Sequence, residues 1–541
     1  MCAYRKNKKC VRHVVEYRLC ICIILLIYLI LFFRMSSAFL QNSDTLFLIN
    51  RARQMLHCIQ NGNIPFFYYN DYYGLGYGSA FFYGHLTSYP FLPILAILGE
   101  KAFVVAWFVT ALVLYSFGII SLVRVMTSNY RFVSVIYLAG SFTTFTIFDV
   151  AMLCNMMGTA IAFWCLYFAV RYFRDKRSYI PAALLFFLLI NTHLISTIIC
   201  FSGIVLICIY YWDRSRIKSY CRFALVTCTL CSYFVLNFLY HVDSIGDIAA
   251  INRMTQNSSQ VANVYTMANF PFCSFGQLVI FKKFTGITFC HLITLLTLLV
   301  LCLRCWKMLS RKKRVLLLLC VLAMILGSGS IWKLFNTKIF LVPIQFSFRY
   351  LSFVWLLLLC ILLGQTKSHE LKMYLSTWVL LYAILTCCLF VVPEGRAVGQ
   401  EQYIGNGEYL PKDYKESVIR RGVFGPDSEM VSCITNDKIL SFRVKQAGEY
   451  QVPKIWYRGY EATIEENGIA KKLKCYEKDG FVTLKTLSDT NSVIDVYYKH
   501  PTVLIFLDFS CLILWFGVLF KFIKDRKGYM LCKQKQIYLK W

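Results

Sequence analysis

Residues 103–123 read FVVAWFVTALVLYSFGIISLV. No charged side chain interrupts this run, and its length falls in the range of roughly 17–25 residues that a helix needs to cross the hydrocarbon of a bilayer. No water is available there to bond the backbone, so the run must form a helix that satisfies its own peptide groups. Similar stretches recur at 19–33, 223–240, 289–303, 315–326 and 371–392. Of the 541 residues, 58% are hydrophobic and 16% charged, against roughly 25% charged in a soluble chain. The mean hydropathy is +0.56. These features predict a multi-pass membrane protein.

The net charge of +29 would suit a nucleic-acid binder if it formed one surface. It does not. The basic residues stand in short clusters between apolar runs: Arg5 to Lys9, Arg171 to Arg177, Arg214 to Lys218, Arg304 to Arg314, and Lys521 to Lys527. Basic flanks of membrane helices stay in the cytoplasm, where they meet anionic lipid, so the clusters report topology and exclude a nucleic-acid partner. Most of the 24 cysteines lie inside apolar runs as small hydrophobes. Cys433 and Cys475 fall in one polar region and are read equally as a pair or as free thiols.

Taking the clusters as cytoplasmic sets the parity. Residues 1–18 are a basic cytoplasmic N-terminus, and helix 19–39, signal-like but retained by this topology, runs outward. A first outer loop covers 40–100. Helices at 101–123, 131–148 and 151–170 return the chain to the cytoplasm. Residues 179–211 then form an up-and-down hairpin, with its tip at Asn191-Thr192-His193. Helix 223–240, a polar loop 241–286, and helices 287–305, 315–330, 350–364 and 371–392 follow. A last helix at 501–520 leaves the tail, to 541, inside. The total is about twelve spans, with both termini cytoplasmic. Residues 84–98 hold Pro90 and Pro93 and are read as an interfacial or re-entrant segment.

Residues 393–500 differ. Runs at 439–444, 450–456, 482–484 and 493–498 alternate or favour β-branched and aromatic residues, punctuated by Gly448, Gly459, Asn467-Gly468 and Asp479-Gly480. They predict a small antiparallel β-sandwich outside the membrane, tethered by helices at both ends. The expected fold is thus an all-α transmembrane bundle (19–392 and 501–541) carrying an extracytoplasmic β domain.

The first outer loop bears the chemistry. Apolar residues at 45, 48, 49, 52, 55, 56 and 59 mark an amphipathic helix opened by Asp44 and closed by Gly62; Asn50, Arg51, Arg53, Gln54 and His57 fall on its opposite face. Such a helix is expected to lie along the membrane surface. Beyond it come Phe66-Phe67-Tyr68-Tyr69, Tyr72-Tyr73, Gly74-Leu75-Gly76-Tyr77-Gly78 and Phe82-Tyr83-Gly84-His85. The aromatics suit stacking on sugar rings as well as anchoring at an interface.

An acidic residue after the first span, an interfacial helix, and a Gly/Tyr-rich loop leading to Tyr83-Gly84 and Tyr89-Pro90 resemble the GT-C class of membrane glycosyltransferases. More narrowly, the chain is similar to bacterial YfhO-like proteins and to integral membrane proteins described as 6-pyruvoyl-tetrahydropterin-synthase-related. Pro343 to Tyr350, Gly407-Glu408-Tyr409-Leu410-Pro411 and Trp456-Tyr457-Arg458-Gly459-Tyr460 extend the resemblance. It implies a bacterial plasma-membrane enzyme that moves a sugar from a polyprenyl-phosphate donor to an envelope glycan or lipid at the outer face. It also allows for a divalent cation, Mg or Mn. The chain departs from the paired acidic motif of many GT-C enzymes, since Asp44 follows Asn42-Ser43 and stands alone.

Such transfer needs a carboxylate at the acceptor hydroxyl and positive charge at the departing phosphate. Asp44 is the candidate base, and equally an N-cap. Arg349, with Gln345 before it, suits the phosphate or snorkels to the headgroups. Tyr83, His85, Asp149, His193 and Glu408 complete the candidate substrate-binding set. His193 also reads as a structural histidine, and Asp149 as a helix cap. The competing functions are a transporter or flippase of lipid-linked sugars and a non-catalytic envelope-assembly factor. The middles of the spans carry almost no charge, which argues against a transporter.

Overall fold

The computed structural model describes residues 43–62, 74–126, 153–245, 306–326 and, with short gaps, 410–538; Cys22, Leu26 and a few positions within 299–303 are described singly. The predicted helices 19–39, 131–148, 287–305, 350–364 and 371–392 fall wholly or mainly outside these residues.

The amphipathic run forms α1, Ser43–Gln60. Its apolar stripe is buried, through Leu48, Ile49, Ala52 and Met55. Gly62 follows with φ of 66°, the left-handed conformation that ends helices and suits a residue without Cβ. A short helix α2, Ser79–Phe82, and a 3-10 turn, Leu86–Phe91, lead into the long α3, Leu92–Met126. The segment 84–98 is set off from the long part of α3 at Gly99, whose φ of 79° and ψ of −176° interrupt the helical path, so residues 92–98 form a short helical piece of their own before the run that continues to Met126.

α3 packs along α4, Leu153–Asp175. Two tryptophans stitch the apolar contact: Trp107 Nε1 donates to the Leu153 carbonyl at 3.1 Å, and Trp164 Nε1 to the Leu114 carbonyl at 2.8 Å. The hairpin follows as α5, Ile180–Ile190, and α6, Leu194–Tyr210. Pro181 starts α5, where a missing N–H costs nothing. The hairpin and its Asn191–His193 tip match the sequence reading, but α5 rises only about 16 Å, short of a hydrocarbon core of about 30 Å.

Asp213 accepts from the Ser215 amide and opens a 3-10 turn into α7, Ile217–His241. α8, Arg311–Leu326, is followed after the β domain by the C-terminal helix α9, Thr502–Tyr538. Among the described residues, four helical segments are long and apolar enough to cross a membrane: Leu86–Met126, Leu153–Asp175, Arg214–Ser244 and Thr502–Lys524.

The β domain is a sandwich of two five-stranded sheets. One runs β2 (Met430–Val431), β1 (Val423–Phe424), β5 (Gly448–Ile455), β9 (Phe481–Thr486), β8 (Cys475–Lys478). The other runs β3 (Cys433–Thr435), β4 (Ile439–Val444), β10 (Ser492–Tyr498), β6 (Tyr460–Glu466), β7 (Ile469–Leu473). All pairs are antiparallel. Alternate residues such as Leu440, Phe442 and Val444 enter the core. Asp479 and Gly480 both have positive φ, the twist a two-residue β8–β9 hairpin requires. Cys433 and Cys475 are free thiols.

The sandwich core is not closed by its own strands alone. Leu75, Tyr77, Phe81 and Phe82 of the first loop are buried among Val423, Tyr450, Ile455, Tyr457 and Val496. The Ile455 amide donates to the Leu75 carbonyl at 2.8 Å, and Lys454 Nζ donates to the Gly74 carbonyl at 2.7 Å. On the other side, the Arg458 amide donates to Ser244 Oγ at 2.8 Å, and its guanidinium covers the Tyr240 ring at 4.5 Å. Loop and β domain thus fold as one body against the ends of α7 and α9.

Candidate functional site

α1 sends Arg51 inward. The sequence pattern places this residue on the exposed face, yet its relative exposure is 4% and that of Asn50 is 6%. The chain folds back over it: Arg51 Nη2 donates to the carbonyls of Tyr83 at 2.7 Å and Gly84 at 3.1 Å. Its guanidinium carbon lies 5.3 Å from the Phe47 ring centre and 5.0 Å from that of Tyr83, a planar cation between two π faces. Nε is buried with no hydrogen-bond partner. Among the described residues no carboxylate pairs with this charge.

His85 follows Gly84 and is 5% exposed, with neither ring nitrogen hydrogen-bonded. Burial, helped by the charge of Arg51, drives its imidazole down to about 3. It is therefore neutral, one nitrogen a donor and the other an acceptor.

The hairpin tip closes the other side. The ring centres of Tyr83 and His193 are 6.0 Å apart. Gly84 is set so close to Asn191 that a Cβ would fall 2.2 Å from the Asn191 carbonyl carbon; only glycine fits. His193 caps α6, its Nδ1 accepting from the Ser196 amide at 3.2 Å. That assigns the proton to Nε2 in the neutral ring. Ser196 Oγ lies 2.8 Å from the same Nδ1 and 3.3 Å from Asn155 Oδ1, and its single hydrogen can serve either acceptor. The result is a buried polar patch on otherwise apolar helices: Asn50 and Arg51 from α1, Tyr83 and His85 from the loop, Asn155 from α4, and Asn191 to Ser196 from the hairpin. It can hold an anion by charge and direct donors, and a hydroxyl-bearing ring by aromatic faces.

This patch lies at the ends of α4 to α7 away from the basic clusters. At the far end Arg216 donates to the Tyr172 carbonyl at 2.9 Å and stacks on Tyr172 and Tyr220, and Arg174 pairs with Asp175 at 2.6 Å.

A second buried polar group sits where α7, α9 and the β domain meet. His241 Nδ1 faces the Asn237 carbonyl at 2.8 Å, which can only accept, so Nδ1 carries the proton; Nε2 accepts from Tyr498 Oη at 2.7 Å. Asn237 Nδ2 donates to both Asp508 carboxylate oxygens, at 2.8 and 3.0 Å, and His500 Nε2 is 3.8 Å from Asp508 Oδ2. Asp508 is 2% exposed inside a membrane-length helix. Sequence reading passed over this group, although a carboxylate within an apolar span is a signal that could have found it.

Of the residues singled out from sequence, the structure brings together Tyr83, His85 and His193. Asp44 lies in the first turn of α1, about 10 Å along the axis from Arg51. Asp149, Gln345, Arg349 and Glu408 lie outside the described residues. Among the described residues, no three His, Cys, Asp or Glu side chains are grouped to hold a metal ion. Comparison with protein-family models, curated proteins and solved structures finds no match for this chain.

Proposed function

We propose that the chain is a glycosyltransferase of the bacterial plasma membrane, taking its sugar from a polyprenyl-phosphate donor and acting at the outer face on an envelope glycan or lipid. One observation carries this reading: a buried guanidinium with no carboxylate partner among the described residues, flanked by Tyr83, His85 and His193, at the helix ends remote from the basic clusters. Basic clusters mark the cytoplasmic side, so the opposite ends face outward. In the proposed reaction the acceptor hydroxyl oxygen attacks the anomeric carbon, and the bond from that carbon to the phosphate oxygen breaks. The polyprenyl phosphate leaves with its charge held by cationic and N–H donors. Asp44 takes the hydroxyl proton.

The test is transfer by the purified full chain, in lipid nanodiscs, from radiolabelled polyprenyl-phosphate sugars. Asp44→Asn is expected to abolish transfer with membrane abundance unchanged; undiminished transfer removes Asp44 from the chemistry. Transport of the intact donor without transfer would instead support a flippase. Loss of envelope assembly on deletion of 393–500, with Asp44→Asn silent, would support an assembly factor.

A further inference from the structure

The geometry points to a phosphate-binding subsite formed by Arg51 and His85, with Tyr83 as its aromatic wall. The source of the phosphate in this inference, a polyprenyl phosphate, rests on the function proposed above; the subsite itself does not.

Three buried atoms there have hydrogen-bonding capacity and no partner: Arg51 Nε and both ring nitrogens of His85. Buried polar atoms are nearly always paired, since leaving one unmade forfeits the hydrogen bond it had with water. A cluster of three beside a cation that no carboxylate among the described residues compensates is the arrangement a ligand would complete. The surroundings select its class. Arg51 is fixed by the Tyr83 and Gly84 carbonyls and by the Phe47 and Tyr83 rings, so its plane and its free Nε–H are set in advance. A rigid fork of this kind matches a tetrahedral oxyanion. His85 remains neutral beside it, donating one N–H to an anionic oxygen and accepting from a hydroxyl with its other nitrogen. A phosphate ester carrying a sugar offers both partners. A carboxylate side chain would have paired with Arg51 permanently, and none among the described residues does.

His85 makes the inference testable apart from folding. It bonds to nothing that the structure describes, so His85→Phe replaces a buried unsatisfied polar ring with an apolar ring of similar shape and should leave the thermal midpoint of the full chain equal or raised. A residue kept for packing alone would show only that gain. If the subsite reading holds, the same variant binds a polyprenyl monophosphate about ten- to a hundredfold more weakly in nanodiscs. His85→Leu carries the same comparison if phenylalanine is too large for the site.

Wild-type affinity for both polyprenyl monophosphate and inorganic phosphate, in a variant that folds, overturns the subsite. Weakened binding of inorganic phosphate with unchanged binding of the lipid would keep the oxyanion site and discard its lipid source. Wild-type chain that binds polyprenyl phosphate through His85 yet transfers no sugar would sink the proposed reaction and leave the subsite standing. Undiminished transfer by His85→Phe would do the reverse.

Discussion

The imidazole of His241 lies flat on the ring of Phe81, their centres 3.7 Å apart and their planes within 1° of parallel. Phe81 belongs to the short helix that ends two residues before Gly84, whereas His241 is the last residue of α7. The stack therefore joins a membrane-length helix to the loop that covers Arg51. Because the same imidazole accepts from Tyr498, it joins the β domain as well.

Replacing His241 by leucine keeps an apolar body against Phe81 but removes the acceptor of the buried Tyr498 hydroxyl. It should lower stability by about 1–3 kcal/mol. Denaturant unfolding of the full chain in detergent measures this. An unchanged midpoint would mean that the β domain docks without the histidine.

Two glycines give opposite expectations. Gly84→Ala must drive its methyl into the backbone of Asn191, so the loop or the hairpin tip has to move; the expected cost is about 1–3 kcal/mol or more, with weaker binding at the adjoining site. Gly517→Ala meets nothing within 4 Å and sits mid-helix, where alanine is favoured by about 0.5–1 kcal/mol. Thermal midpoints of the two variants in one detergent check the pair, and equal midpoints would contradict the close contact at Gly84.

Lys454 supplies a pH signature. It is fully buried in β5, and desolvation lowers its ammonium from the ordinary 10.5 to about 7. Between about pH 7 and 10.5 the unfolded chain binds a proton at this site that the native chain does not, so stability rises with pH across that window. Below pH 7 both states are protonated and the penalty is constant. Lys454→Met should remove this slope and raise stability most at neutral and lower pH. Unfolding followed from pH 6 to 10 tests it, and a slope that survives in the variant would place its origin elsewhere.

The long helices were legible because lipid leaves a backbone one option, so an uninterrupted apolar run such as 103–123 names its own structure. The β domain was legible for a related reason: alternation at 439–444 assigns one face to a core, and the observed strand has those bounds. Turn glycines such as Gly480 were found by their dipeptides and serve as expected. The hairpin tip at Asn191–His193 was legible as well, since a polar break inside a long apolar stretch marks where the chain can reverse.

Arg51 did not follow. Periodicity states which residues of α1 share a side, and it correctly collected the apolar stripe. Whether the other side meets water depends on what packs over it, and that cover comes from Tyr83 and Gly84, more than thirty positions away. The bond from Asn237 to Asp508 spans 271 positions and was equally hidden. A sequence determines local conformation and the side on which apolar atoms gather, because those depend on neighbours within a turn or a strand. Which polar groups end up buried together is decided by tertiary packing, since removing a charge from water takes atoms supplied by distant parts of the chain.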